Sequence, residues 1–338
     1  MRALQLIDGV GLEHLTLTDL PEPKPGPGEV AIRMRAASLN YRDLMMVEGA
    51  YGPRGTPLPL TPLSDGCGVV EATGEGVSRV AVGDRVCPMF FQKWLDGAPS
   101  PQTQASALGL PIPGVAREVA VYHEDGVSKV PTSLSDEEAA CLPCAGLTAW
   151  RALFEDADLR PGASVLLEGT GGVSVFGLQF AHAAGMQTII TSSSDAKLER
   201  AKKLGADCLI NYRQTAEWGR SAREFTSGRG VDFVMEVGGA GTLGQALRCI
   251  ALGGHIAIIG VLGGAAEPLS IGQMIGTGAK LQGVQVGSRA MFERMGRFIE
   301  QAALKPVVDK VFPLAEARAA FEAMRAGEHF GKIVLRFD

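Results

Sequence analysis

Two kinds of hydrophobic patterning divide this chain. Up to about residue 124 the apolar positions alternate in short runs. Glu29-Val-Ala-Ile-Arg-Met-Arg35 reads as a strand with one buried face, and Gly68-Val-Val-Glu-Ala-Thr73 with Gly83-Asp84-Arg85-Val86 reads as two more strands joined by turns. Pro and Gly recur throughout, so a small β-rich barrel is expected. The stretch from Pro88 to Gly114 is long and irregular and holds Met89, Phe90, Phe91 and Trp94. A loop of that length is usually functional, and a lid or wall of a hydrophobic substrate cleft is expected.

From about residue 133 the pattern becomes helical and deeply apolar. Ser133 or Ser135 is positioned to cap a helix whose first turn carries Glu137 and Glu138, where negative charge suits the helix dipole. Strands are predicted at 164–169, 187–193, 207–212, 231–237, 255–261 and 280–287, with helices at 173–184, 195–204, 215–227 and 241–251. Almost wholly apolar strands alternating with helices predict a parallel sheet covered on both faces, in the doubly wound order 3-2-1-4-5-6. Helices at 290–303 and 314–326 and a last strand at 332–337 break the alternation and are expected to return to the first domain. The fold class is therefore α/β. The expected domains are 1–124 with 289–338, and 125–288.

Composition narrows the function. At 338 residues the chain suits two domains, and a net charge of −5 gives no reason to expect nucleic acid or an anionic membrane as partner. The first residues are too short and too soon interrupted for a signal peptide, and no apolar run approaches a bilayer span, so a cytoplasmic location is expected. Six scattered cysteines make no disulfide framework.

The candidate chemistry starts at Ser164-Val-Leu-Leu-Glu-Gly169-Thr-Gly171-Gly172-Val173-Ser174, an apolar strand running through a glycine-rich turn into a helix. Bare N–H groups at such a helix start suit a pyrophosphate, although Ser174 stands where the third glycine of a dinucleotide motif is usual. At the tip of the next strand, where an acidic ribose-selecting residue would stand, Thr191-Ser-Ser193-Ser-Asp195-Ala-Lys197 offers hydroxyls and an ammonium. Ser193, Lys197 and Tyr212, with Arg213 as a further member, are expected to converge on a 2′-phosphate, which makes NADP the expected cofactor. Asp195 is read as a helix N-cap. Gly238 and Ile259-Gly260 follow the fourth and fifth strands and are expected to admit the nicotinamide ribose.

Several further segments carry a resemblance. Pro25-Gly-Pro-Gly28-Glu-Val30, Ser38-Leu-Asn40-Tyr41-Arg42-Asp43, Gly83-Asp84-Arg85-Val86, Leu147-Thr148-Ala149-Trp150, Gly171-Gly172-Val173 and Ala201-Lys-Lys-Leu-Gly205-Ala206-Asp207 together resemble the medium-chain dehydrogenase/reductase superfamily over nearly the whole chain. The likeness is greater to its zinc-independent quinone oxidoreductase branch. It implies a GroES-like barrel domain, a Rossmann domain, and a homodimer formed through the strand Leu281 to Val286. It also places Thr148 and Val286 in the cofactor set.

In zinc-using relatives the metal takes a Cys in the segment matching Asn40 to Asp43, a Gly-His-Glu matching Leu63-Ser64-Asp65, and a Cys or Asp matching Cys144. Only Cys144 fits, so no metal is expected. Cys141-x-x-Cys144 is read as a buried structural pair. Without a Lewis acid, hydrogen bonds must stabilise the oxygen that gains charge when a carbonyl, enone or quinone accepts hydride. Tyr51 or Tyr41 is the expected proton donor, with Asn40 orienting the substrate oxygen. The competing readings are a zinc alcohol dehydrogenase with atypical ligands and a non-catalytic NADPH-binding protein on the same fold.

Overall fold

The computed structural model describes residues 1–51, 56–266 and 268–337. It divides into two compact units, Met1–Leu147 with Val286–Asp338, and Thr148–Gln285. The first boundary falls later than the expected 124/125. Val127–Lys129 still pairs with a strand of the first unit, and Arg85 of that unit binds Asp136 and the Leu134 carbonyl, which ties the following segment to it.

The first unit holds strands β1 (Arg2–Leu6), β2 (Leu15–Asp19), β3 (Glu29–Ser38), β4 (Asp65–Thr73), β5 (Arg85–Pro88), β6 (Val119–His123) and β7 (Val127–Lys129). The second holds β8 (Ser164–Leu167), β9 (Gln187–Ser192), β10 (Cys208–Asn211), β11 (Val231–Glu236), β12 (Ile250–Ile258) and β13 (Lys280–Gly283). The chain then returns to the first unit with β14 (Val308–Pro313) and β15 (Lys332–Arg336).

In the first unit the main sheet runs β14-β15-β3-β4-β5-β7, and β6 also pairs with β3. The central strand is β3, whose Val30, Ile32 and Met34 are buried in a core with Leu6, Val86, Phe321 and Leu335. Two of its neighbours matter for function. β4 pairs antiparallel with Ser38 opposite Asp65, and β15 pairs antiparallel with Val334 opposite Ser38, so the continued register sets Lys332 opposite Asn40. The end of β3 is thus flanked by an acid on one side and a base on the other. Beyond it, the Asn40 to Asp43 segment starts a helix, Tyr41–Val47.

The second unit has the order β10-β9-β8-β11-β12-β13, all parallel, which is the expected 3-2-1-4-5-6 winding. Val165, Leu166, Leu167, Ile189, Ile190, Phe233 and Val234 are fully buried, as a sheet covered on both faces requires. Two strands differ most from expectation: β13 ends at Gly283 rather than 287, and β12 is displaced. β12 starts at Ile250 rather than 255, because Ile250 and Ala251 leave the helix Leu243–Cys249 directly into the sheet and a bulge absorbs the mismatch before His255.

Candidate active site and nucleotide site

In the first unit a buried polar cluster forms where β3, β4 and β15 meet. Asn40 caps the helix Tyr41–Val47 in an extended conformation, and its backbone N–H donates to Asp43 Oδ2 at 2.8 Å. The Lys332 ammonium, only 4% exposed, donates to the Leu39 carbonyl and to Asn40 Oδ1, each at 2.6 Å, and lies 3.9 Å from Asp65 Oδ2. This fixes the Asn40 amide, because its oxygen is held by an ammonium and its nitrogen must face the other way. Asn40 Nδ2 is buried and has no hydrogen-bond partner among the described residues.

Burial pushes the Asp65 carboxyl up to about 7, against the Lys332 charge, which favours its ionised form. The Asn40 amide and the Cys144 N–H also favour that charge, although neither closes a hydrogen bond to the carboxylate. Burial likewise raises both thiols of the Cys141-x-x-Cys144 pair, Cys141 to about 12, and Cys141 Sγ donates to the Glu137 carbonyl at 3.2 Å. Both are inert as nucleophiles.

The tyrosines separate. Tyr41 is the first residue of its helix and is 44% exposed. Tyr51 is half-buried, and its hydroxyl oxygen accepts from Arg42 Nε at 3.4 Å. The Arg42 guanidinium lies over the rings of Tyr51 and Phe90, at 5.0 and 4.6 Å from their centroids, and donates to the Leu108 carbonyl. The Arg42 to Asp43 ion pair is also present, at 3.7 Å. Of the apolar residues expected along the cleft, only Phe90 reaches this group through Arg42. Phe91 and Trp94 stack edge-on at 5.7 Å inside their own segment, and Met89 is buried, so these three are packing residues. A concavity of about 330 Å3 lined by Arg79, Lys129, Phe292, Glu293 and Arg297 shares no residue with the cluster.

The donors available to a metal can be counted from this geometry. Among the described residues no three His, Cys, Asp or Glu side chains are grouped to hold an ion. Asp65 and Cys144 are two donors where catalytic zinc uses three, and the Asn40 oxygen is already bound by an ammonium. The donor set does not fit a zinc ion.

In the second unit the glycine-rich turn leaves open space at a helix start. Gly169 has a φ of +70° and Gly171 caps the helix Gly172–Ala183 with no side-chain hydrogen bond, and a Cβ at either would meet nothing within 4 Å. The first N–H groups of a 12-residue helix therefore stand beside open space, with Val173 in that first turn. Ser174 does more than replace a glycine, since its hydroxyl donates to the Glu168 carbonyl at 2.5 Å and holds the turn on the strand end.

Gly238 and Gly260 have a packing reason to be glycine in addition to the expected one. A Cβ on Gly238 would lie 2.3 Å from Thr242 Oγ1, and one on Gly260 would lie 2.3 Å from the Val237 carbonyl. Gly260 lets the turn after β12 pack on the turn after β11, and Gly238 lets its own turn close on Thr242. Ile259 and Gly260 donate to the Glu236 carbonyl in the same contact.

At the ends of β9 and β10, Tyr212 N donates to the Ser192 carbonyl, which brings Ser193 and Tyr212 to one sheet edge, and Lys197 follows in the first turn of the helix Asp195–Lys203. Asp195 is not the cap. Ser194 takes that role by accepting from Lys197 N, while the Asp195 carboxylate accepts from Asn211 Nδ2 and Gln214 Nε2. Thr148 is buried in the second unit, and Val286 is buried in the first with a φ of +45°.

Two features escaped the sequence reading: Lys332, and a pair of buried acids, Glu168 and Glu236, at the carboxyl ends of neighbouring strands. Each acid ends an apolar run within two residues of a glycine, a visible signal once the strand order is known.

Comparison with known proteins agrees with this architecture. The GroES-like domain pattern of alcohol dehydrogenases matches residues 26–132, and that of zinc-binding dehydrogenases matches residues 172–301. A zinc-type alcohol dehydrogenase-like protein of Schizosaccharomyces pombe is 45% identical over 97% of this chain and 96% of its own. A crystal structure of a putative alcohol dehydrogenase from Sinorhizobium meliloti superposes with a TM-score of 0.93 at 39% identity, covering 99% of this chain and 98% of that one. A mycobacterial quinone oxidoreductase gives 0.81 at 28% identity, covering 99% of both chains.

Proposed function

Because this chain belongs to the medium-chain dehydrogenase/reductase superfamily, we propose that it is an NADP(H)-dependent oxidoreductase acting on a hydrophobic carbonyl, enone or quinone without a protein-bound metal. The bound nicotinamide supplies or accepts the hydride. The protein's own residues do the rest. Asn40 Nδ2, oriented by Lys332, donates a hydrogen bond to the substrate oxygen as charge grows there. The Tyr51 hydroxyl delivers the proton, and the Arg42 cation beside it stabilises the phenolate left behind. The observation that carries the metal-free reading is the Lys332 ammonium beside Asp65, one of the two donors left to bind an ion there among the described residues.

Ser193, Lys197 and Tyr212 support the preference for the phosphorylated cofactor. Replacing Lys197 by Ala removes a charge-assisted contact worth about 1.5–3 kcal/mol and is expected to weaken NADPH binding tenfold or more while leaving NADH unchanged. Equal losses for both would refute the assignment. The exposed edge strand β13 and the exposed Ile271 and Ile275 beside it support a homodimer, which sedimentation would test against a monomer.

A second reading is zinc alcohol dehydrogenase chemistry, favoured by the name of the 45% identical relative. Stoichiometric zinc lost together with activity on chelation would establish it.

A further inference from the structure

The carboxyl groups of Glu168 and Glu236 are buried, 3% and 0% exposed, and crowd onto one donor, the Gly238 N–H, while Glu168 Oε1 has no partner among the described residues. Two buried carboxylates sharing one donor cannot both be ionised in a site of low polarity, so the pair holds one proton. Its remaining bonds all run to one turn. Glu236 accepts from Gly238 N at 2.8 Å, Gly239 N at 3.0 Å and Thr242 Oγ1 at 2.7 Å. Glu168 Oε2 accepts from Val237 N at 3.3 Å and Gly238 N at 3.4 Å. Glu168 is itself the residue before Gly169, and its carbonyl takes the Ser174 hydroxyl.

We propose that Glu168 and Glu236 are positioning residues of the dinucleotide site, whose shared proton locks the turn after β8 to the turn after β11. Glu168, the protonated partner, donates to the Glu236 carboxylate. This rests on the cofactor reading above and extends it to acids that touch no ligand. Their environment offers no counter-charge: no Lys, Arg or His bonds to either carboxyl among the described residues. Burial and the Glu236 charge drive Glu168 well above the usual carboxylate range, and a further titratable neighbour, the Cys249 thiol, is itself raised by burial and by Glu168. Loss of the proton at alkaline pH leaves two adjoining negative charges, which release the turns and repel an anionic ligand.

The test is NADPH and NADH affinity of the full-length protein from neutral to alkaline pH, with circular dichroism confirming that the fold persists. Wild-type affinity for both nucleotides is expected to fall about tenfold or more at alkaline pH. In Glu168→Gln the amide donates permanently to Glu236 and its oxygen still accepts from Val237 and Gly238, so affinity stays within about twofold at neutral pH and the alkaline loss disappears. Glu168→Ala, which cannot bridge the turns, is expected to bind more weakly at every pH. A pH-independent wild type, or an alkaline loss unchanged in Glu168→Gln, would overturn the proposal while leaving the cofactor reading intact. Failure to bind either nucleotide at any pH would overturn both.

Discussion

The two units each bury acidic groups, and they neutralise them differently. In the first, Asp65 faces an ammonium, Lys332, with strand register bringing the two together across the end of β3. In the second, Glu168 meets another acid, Glu236, and a proton takes the place of the cation. A buried ion pair is vulnerable to loss of either partner, because the survivor keeps a charge with no compensation. A proton-sharing pair tolerates an amide in place of the protonated acid, since the hydrogen bond survives. The first arrangement fixes the orientation of the Asn40 amide; the second ties two backbone turns together.

Lys332→Met breaks the contrast most forcefully. It leaves Asp65 and Asn40 Oδ1 buried without a cation and is expected to cost about 3–5 kcal/mol, read as a large fall in melting temperature. The pH dependence has a definite sign. Asp65 in the folded protein keeps its proton up to about 7, above its ordinary value of 3.8, so its ionisation opposes folding as pH rises through that interval. Without Lys332 the carboxyl rises further, and the loss should be larger at alkaline than at mildly acidic pH. Adding Asp65→Asn to Lys332→Met should restore part of the stability, and an additive double variant would show that the two do not interact.

Asp232 gives an intermediate case. It is held down to about 2, first by its hydrogen bond to Arg229 and also by Ser164 N and Oγ, at a site partly open to water. A lowered carboxyl stabilises the fold above its unfolded value and loses that contribution as pH falls. Asp232→Asn is therefore expected to cost about 1 kcal/mol at neutral pH, with screening keeping it small, and nothing once the pH is below about 2. Denaturant melts at several pH values would check this. The smallest effect is Glu168→Gln, expected to change stability by less than about 0.5 kcal/mol at neutral pH. A loss comparable to that of Lys332→Met would mean that both acids are ionised and would erase the distinction between the units.

Periodicity made the second unit legible: almost wholly apolar strands and amphipathic helices led directly to the order 3-2-1-4-5-6. It misplaced the start of β12 because Ile250 and Ala251 continue the apolar run of the preceding helix, and only sheet pairing shows that they have left it. The first unit was harder to read because its function depends on register. Nothing in the local sequence around Lys332 indicates that it lies opposite Asn40, nearly the whole chain away. Asn40 and Tyr51 were visible as candidates, whereas the cation that orients one and the guanidinium that holds the other come from tertiary structure. Gly238 and Gly260 mark the reverse limit, since glycines required for turn packing look the same in sequence as glycines cleared for a ligand.

The central claim is that hydride transfer here depends on Asn40, Tyr51 and a nicotinamide, with Lys332 in place of a metal. Its most direct test is single-turnover oxidation of NADPH by an enone or quinone, using protein freed of metal by chelation and assayed for residual metal in the same sample. The account predicts an undiminished rate with metal well below one equivalent per chain. A rate that vanishes on chelation and returns in proportion to added zinc would contradict it.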